Sequence, residues 1–390
     1  MASPNSGISG PAAIYLDWNA TSPIHPQVLA RMHQCAEEVW GNPSSVHRFG
    51  RAARELGEQA RATIARNFGA HPRDLLFVSG GTEANNLGLL DAPGLVTSEL
   101  EHPSITRCAK ELERRQRPVR WLKVCTNGQV DLESLQQALQ EVPRGAVVAL
   151  QAVNHETGVI QPLAAAESIA RRAGAWLHVD AVQALGKLDP SAYLFGDSFS
   201  IAAHKIRGPK GVGALIWRCG RPAPRPLLFG GQQQRGLRPG TPDPMSAAGF
   251  AVALDLAKSM LSSRAGIELL RNRLEANLAR IGESNVLGSP RLGHVVSWYV
   301  PTWRSDELVA ALDVEGVGVS GGSACSAGTA EPSAVISAML GVERASRTIR
   351  LSLGDLTTPA EIELATTIIH RVVARAAQTQ RTPGLASSDG

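Results

Sequence analysis

The sequence predicts an α/β fold: a large domain built on a mostly parallel mixed sheet, followed by a small α+β domain. Three observations carry this expectation. Short apolar runs alternate with helical stretches through much of the chain, the pattern of βαβ units whose sheet is covered on both faces. Four groups of chemically distinctive residues, Gly81/Thr82, Asn154, Asp180 and His204/Lys205, lie at the ends of such runs, where open parallel sheets bind ligands. The character of the chain then changes near Gly230, where a Gly- and Pro-rich segment leads into a long helical stretch.

The elements follow in order. Leu75 to Ser79 is a short apolar strand ending in Gly80-Gly81-Thr82, and a helix starts near Ala84. Gly94 to Val96 is a short apolar stretch upstream of His102. Ala146 to Gln151 is a further strand, followed by Asn154-His155-Glu156-Thr157-Gly158. Ala164 to Arg172 reads as a helix closed by Ala173-Gly174. Trp176 to Asp180, Ser198 to Ala202 and Val212 to Trp217 complete the strands of the large domain. Residues 230–242 hold too much Gly and Pro for a regular element. Met245 to Ile281 reads as one long helical connector. The small domain holds the strand His294 to Val300, the helix Ser305 to Leu312, a strand around Arg350 and the final helix Pro359 to Gln378. The expected division is 13–250 for the large domain, with its N-terminal segment contributing to the small one, and 251–379 for the small domain. Residues 1–12 and 380–390 are small and polar and read as disordered tails.

Composition narrows the function classes. A chain of 390 residues, 43% hydrophobic and 19% charged, buries a large core and is not disordered. A net charge of +4 is weak for this length. The dense basic cluster Glu113 to Arg120 reads as a solvated helix end, so no nucleic-acid partner is expected. No apolar stretch reaches the roughly 20 residues of a membrane span, and Met1 to Pro11 lacks the layout of a signal peptide. Five cysteines without CxxC pairs argue against a disulfide framework or zinc knuckle and for a reducing cytoplasm.

The chemistry-bearing residues converge. Asp180 and Lys205 each end a strand, one βα unit apart. A carboxylate and a lysine so placed form the layout of a pyridoxal 5'-phosphate site. The carboxylate pairs with a protonated pyridine nitrogen, and the lysine carries the Schiff base. Taken singly, Asp180 would serve equally as a cap on the following helix and Lys205 as a surface lysine. Gly80-Gly81-Thr82 at a helix start is a phosphate cradle, or an ordinary N-cap with Thr82 capping its own helix. His102 is a ring-stacking group or a loop histidine without a role. Arg350, flanked by apolar residues, requires a carboxylate partner: either an amino-acid substrate or an internal Asp or Glu. Cys325 lies among Gly, Ser and Ala in residues 319–329, a composition expected of an exposed, mobile loop and of a reactive thiol. Cys35, Cys108, Cys125 and Cys219 lie in or beside regular patterns and fit a buried structural reading.

With these residues assembled, the chain resembles the cysteine desulfurases of the fold-type I aminotransferase superfamily, from about Ile14 to Ala376. The resemblance rests on Asp17-Trp18-Asn19-Ala20-Thr21, Gly41 to His47, Ser79 to Glu83, Glu101-His102, Asn154 to Gly158, His178 to Gln183, His204 to Gly211, Arg235 to Thr241, Gly322 to Cys325 and Ile349 to Gly354. It implies the following roles. Lys205 holds pyridoxal phosphate and removes the substrate's α-proton. His102 stacks on the ring, Asp180 pairs with its nitrogen, and Asn154 and Gln183 face its hydroxyl. Gly81, Thr82 and His204 bind the phosphate, joined by Thr241 from a second subunit of a homodimer. Arg350 and Asn154 hold the carboxylate of L-cysteine. Cys325 takes the sulfur as a persulfide for an acceptor protein in iron–sulfur cluster assembly, tRNA thiolation or thio-cofactor synthesis. The rival readings are a selenocysteine lyase or other β-lyase, and a non-catalytic scaffold in a sulfur relay. Three departures stand out. Ala202 replaces the family's usual serine, His155 stands where Asn is common, and the segment from Asn86 to Thr97 is short.

Overall fold

The computed structural model describes residues 13–379, apart from 219, 287, 289 and 323–330. Its centre is a seven-stranded sheet in the order Leu75–Val78, Gly213–Trp217, Ser198–Ala202, Trp176–Asp180, Val147–Gln151, Leu95–Thr97 and Val119–Trp121. The last five strands run parallel. Gly213–Trp217 is antiparallel to both of its neighbours. The inner strands Val147–Gln151, Ser198–Ala202 and Gly213–Trp217 are buried along their whole length, which is why they read as continuous apolar runs rather than as alternating ones. The register sets Gln151 opposite Asp180, and Asp180 opposite Ser200. The carboxyl ends of three adjacent strands therefore open at one level.

The basic cluster divides in a way the composition did not suggest. Helix Pro103–Arg114 ends within it, and Val119–Trp121 forms the edge strand of the sheet. Arg114 and Arg115 both pair with Glu111, and Arg120 pairs with Glu141.

The small domain pairs Thr348–Ser352 with Val295–Tyr299, and Val295–Tyr299 with Glu283–Ser284, all antiparallel. Helices Arg264–Leu278, Ser305–Val314 and Pro359–Thr379 accompany this sheet. The N-terminal strand Ile14–Tyr15 forms a separate two-stranded sheet with Val317–Gly318, and Ile14 and Leu16 sit in the same apolar cluster as Trp298, Leu351 and Ile369.

Two expectations need correction. The connector is not one helix: Pro244–Ser259 and Arg264–Leu278 are separated by a 3-10 turn at Leu261–Ser263. Ala247, Phe250, Ala253, Leu254 and Ala257 pack in the large core, whereas Leu274 and Leu278 pack in the small one. The change of core therefore falls in the turn after Ser259, later than the expected boundary at residue 250, because the apolar face of Pro244–Ser259 is covered by the large domain. The cysteines divide too: Cys35 and Cys108 are buried as expected, but Cys125 is exposed. Cys219 and Cys325 lie outside the described residues. Among the described residues no helix is long and apolar enough to cross a membrane.

Candidate active site

A cavity of about 860 Å³ opens at the carboxyl ends of the central strands, lined by Gly81, Thr82, His102, Asp180, Gln183, His204, Lys205 and Arg350. The structure thus gathers on one wall eight residues that the sequence places far apart. Asn19, Ala20, Asn85, Ser104, Gln151, Val153, His155, Val182 and Ala202 complete the lining.

Asp180 ends strand Trp176–Asp180 and is nearly fully buried. Its Oδ1 accepts from the Val182 amide at 3.0 Å and its Oδ2 accepts from Asn85 Nδ2 at 2.8 Å. The carboxylate therefore caps the turn that follows and still faces the cavity. Burial pushes its carboxyl up, and the Asn85 bond works against that push. No lysine, arginine or histidine forms an ion pair with it among the described residues. Asn85 is held in turn by His178, whose Nε2 lies 3.0 Å from Asn85 Oδ1.

Lys205 lies in the short 3-10 turn Ala203–Ile206 that follows strand Ser198–Ala202. The turn ends on Arg207, in the left-handed region with φ 63°. Lys205 Nζ donates to the carbonyls of Asn19 at 2.6 Å and Ala20 at 2.7 Å, so the amine is held inward rather than in solvent. Gln183 is braced from below. Its Nε2 donates to the Asn19 carbonyl at 3.0 Å, and its Oε1 accepts from Lys187 Nζ at 2.7 Å. Burial holds Lys187 well below the usual lysine range.

Helix Gly81–Leu89 begins at the cavity, and no side chain caps its start; the N-cap position is Gly80. The capping alternative for Thr82 therefore falls, and the first amides of the helix face the cavity's end, where they favour an anion. His204 stands nearby with Nδ1 3.1 Å from Thr21 Oγ1, and burial, then Lys205, holds it down to about 4. Ala202 lies in this wall and contributes no donor.

His102 does two things at once. Its Nδ1 accepts from the Ser104 amide at 3.1 Å and so caps helix Pro103–Arg114, and its ring lines the cavity. Burial, then His155 and Lys205, holds it down to about 3, so it is neutral. Below it Glu101 is fully buried. Burial pushes it up to about 8 against the hydrogen bonds from Ser98 Oγ and the Gln151 amide.

Arg350 has the internal carboxylate partner. One nitrogen pairs with Asp17 at 2.5 Å and another donates to the His155 carbonyl at 3.0 Å. Its buried Nε has no hydrogen-bond partner among the described residues. The guanidinium is thus fixed from behind while it faces the cavity.

Asn154 is the correction. It was expected to face the cofactor and the substrate carboxylate, yet it does not line the cavity. Its Oδ1 accepts from the amides of Glu156 and Thr157 and from Thr157 Oγ1, and its Nδ2 donates to the Leu100 carbonyl. It is fully buried inside its own turn, and its neighbour His155 takes the wall position. Thr241 lies away from this cavity and lines a separate groove with Arg61 and Gln233.

Sequence reasoning missed Asn19, Asn85, Ser104, Gln151 and His155. Asn85 had a signal: it lies three residues after Thr82, on the same helical face. Ser104 follows His102 at the start of the same helix. Asn19 belongs to a motif whose role depends on a turn between the two domains, and no local pattern marks it.

The residues present fit a pyridoxal phosphate on three counts. A buried carboxylate without a cationic partner faces a lysine across one cavity. An uncapped helix start with Thr82 and His204 beside it offers donors to a phosphate. Above, a neutral histidine ring and Val182 flank the space between them.

The chain is similar to known proteins over most of its length. Residues 14–364 match the family model described as Aminotransferase class-V. An "IscS-like cysteine desulfurase" of Mycobacterium tuberculosis is 38% identical, covering 93% of this chain and 96% of its own. A "Cysteine desulfurase" of Cereibacter sphaeroides is 39% identical, covering 92% and 95%. The solved structure of a "NIFS-LIKE PROTEIN" superposes with a TM-score of 0.84 at 31% identity, over 93% of this chain and all of that one. On a full-length match of sequence and fold, the chain belongs to the cysteine desulfurase family of the class-V aminotransferases.

Proposed function

We propose that this protein is a pyridoxal phosphate-dependent cysteine desulfurase that converts L-cysteine to L-alanine and carries the released sulfur as a persulfide on Cys325. The observation that supports this reading best is Lys205 and Asp180, the latter without an ion-pair partner among the described residues, lining one cavity beside an uncapped helix start. When bound there, pyridoxal phosphate supplies an electron sink for the substrate's α-carbon.

The chain's own groups then have definite tasks. Asp180, with Asn85 holding one oxygen, keeps negative charge at the ring-nitrogen end. The first amides of helix Gly81–Leu89, with Thr82 and His204, hold the phosphate. Arg350, backed by Asp17, presents its guanidinium to the substrate carboxylate. Lys205 moves the α-proton. The Cys325 thiolate attacks the cysteine sulfur: the S–S bond forms as the C–S bond breaks, and the electron pair and a proton end on carbon, giving alanine. Thr241 is assigned to the phosphate of a second subunit, so the working enzyme is a homodimer. Its place outside its own subunit's cavity agrees with that reading. The persulfide passes to an acceptor protein of sulfur-transfer chemistry in the cytoplasm.

The test is direct. Purified protein with pyridoxal phosphate should show a Schiff-base absorbance that Lys205→Ala abolishes. It should also form alanine and protein persulfide from cysteine, which Cys325→Ser abolishes. Protein that stays colourless with added cofactor sinks the cofactor assignment. Full cysteine turnover by Cys325→Ser sinks the persulfide step and favours elimination of a β-lyase type.

A further inference from the structure

Two groups that line the cavity on different elements, Asp180 and His102, hang on one buried carboxamide, that of Asn85. Its Nδ2 donates to Asp180 Oδ2 at 2.8 Å and to Ser104 Oγ at 2.8 Å. A carboxylate oxygen only accepts, so the amide nitrogen faces Asp180 and Oδ1 points back into the protein. There it meets His178 Nε2 at 3.0 Å. An amide oxygen only accepts as well, so Nε2 carries the imidazole proton, and Nδ1 accepts from Ser198 Oγ at 2.8 Å. The ring is held close: a Cβ on Gly88, three residues after Asn85 on the same helix, would stand 3.0 Å from His178 Cε1. The other arm ends on His102. Its Nδ1 accepts from the Ser104 amide at 3.1 Å and so carries no proton, which makes the Ser104 hydroxyl, 2.8 Å away, a donor to it too.

We propose that His178 and Asn85 are positioning residues that act as one unit: His178 fixes which way the Asn85 carboxamide faces, and Asn85 thereby holds Asp180 and, through Ser104, His102 in place for a bound pyridoxal phosphate. Turned over, the carboxamide would set oxygen against oxygen at Asp180 and N–H against N–H at His178. Ser104 does not oppose that turn, since a hydroxyl both donates and accepts. His178 opposes it from behind without itself lining the cavity. The titratable groups that face Asp180 are His155, Lys205 and Glu101, and none of them hydrogen-bonds to Asn85 among the described residues. The orientation of the carboxamide is therefore set by His178, Asp180 and Ser104 alone.

This unit rests on the pyridoxal phosphate reading, and the experiment separates the two. The dissociation constant of pyridoxal phosphate is measured on the full-length protein by absorbance titration. Wild-type protein that binds no pyridoxal phosphate overturns the cofactor reading. His178→Phe keeps a ring and removes the donor, and Asn85→Leu keeps the bulk and removes the amide; each should weaken binding by about tenfold. Because His178 acts through Asn85, the double variant should be no more than about twofold weaker than Asn85→Leu. Wild-type affinity in His178→Phe, or losses that multiply in the double variant, overturn the proposal. Asn85→Asp keeps an oxygen for His178 but sets a second carboxylate beside Asp180, and two carboxylates so placed share one proton. Its affinity relative to wild type should be lost near about pH 8.5 and recover toward about pH 6, where the shared proton restores a donor to Asp180. If His178→Phe does not fold, an Asn85→Asp ratio that is flat with pH overturns the proposal equally.

Discussion

Asn154 and His155 are adjacent in sequence and opposite in role. Asn154 Oδ1 accepts three hydrogen bonds within its own turn, and its Nδ2 donates to the Leu100 carbonyl. Its amide is thus spent on structure. Asn154→Ala should lower unfolding stability in urea by about 2–4 kcal/mol, because buried amides and a carbonyl lose their partners together. The cofactor absorbance of the folded fraction should remain. A variant that keeps wild-type stability but loses cofactor would return Asn154 to the cavity. A lone Asn in a loop carries no mark that separates a turn-former from a ligand, which is why the role implied by the resemblance fell on Asn154. Arg350 was legible for the complementary reason: a cation on an apolar strand must have a partner.

At the scale of the element, helix Gly81–Leu89 shows how backbone and packing make a binding end. A Cβ on Gly81 would approach Val182 Cγ2 at 2.7 Å. Close passage of the helix start over the turn after Asp180 is what keeps its amides and the carboxylate in one cavity. Gly81→Ala should therefore displace the helix start and weaken cofactor binding by about tenfold, at a packing cost of about 1–3 kcal/mol. Val182→Ala added to it should restore most of the loss, since the pair then shares one space. Fluorescence titration with pyridoxal phosphate reads both, and a double variant as weak as Gly81→Ala alone would show that the clash is not the cause. The strands were easy to read in advance because their burial on both faces makes them continuously apolar. The break at Leu261–Ser263 was not, because the helical pattern runs on through it and only the change of core, from Ala257 to Leu274, reveals the turn.

For the whole molecule, buried histidines set the response to acid. Burial holds His178 and His294 well below the usual range, and His102 and His204 down to about 3 and about 4. Between those values and the unfolded value near 6.5, the unfolded chain binds protons that the folded chain refuses. Stability is therefore complete above about pH 6.5 and falls as the pH drops, by up to about 1.4 kcal/mol per pH unit for each histidine. Glu101 works the other way: raised to about 8, it stabilises the fold most at low pH and loses that contribution as the pH rises toward 8. Asp180, raised by burial as well, acts in the same direction, and the four histidines outnumber these two carboxyls below pH 6.5. The urea midpoint should fall clearly from pH 7 to pH 5.5, and an unchanged midpoint would mean that these rings accept protons without unfolding.

Sequence by itself determined the class of the fold and the places of Asp180, Lys205, Thr82 and His204. Strand periodicity is local, and in a parallel sheet the end of a strand is also the place where ligands bind. Arg350 and His102 were reachable for the same reason, as exceptions to an otherwise apolar or turn-like context. Only the tertiary structure decided which of two neighbouring residues faces the cavity, because that depends on the direction of one turn closed at Gly158, where φ is +75°. It alone brought Asn19 and Asp17 from the N-terminal segment to Gln183, Lys205 and Arg350. And it alone set Glu156 behind His155, a pairing invisible as two letters in a row until the fold buried both side chains against each other.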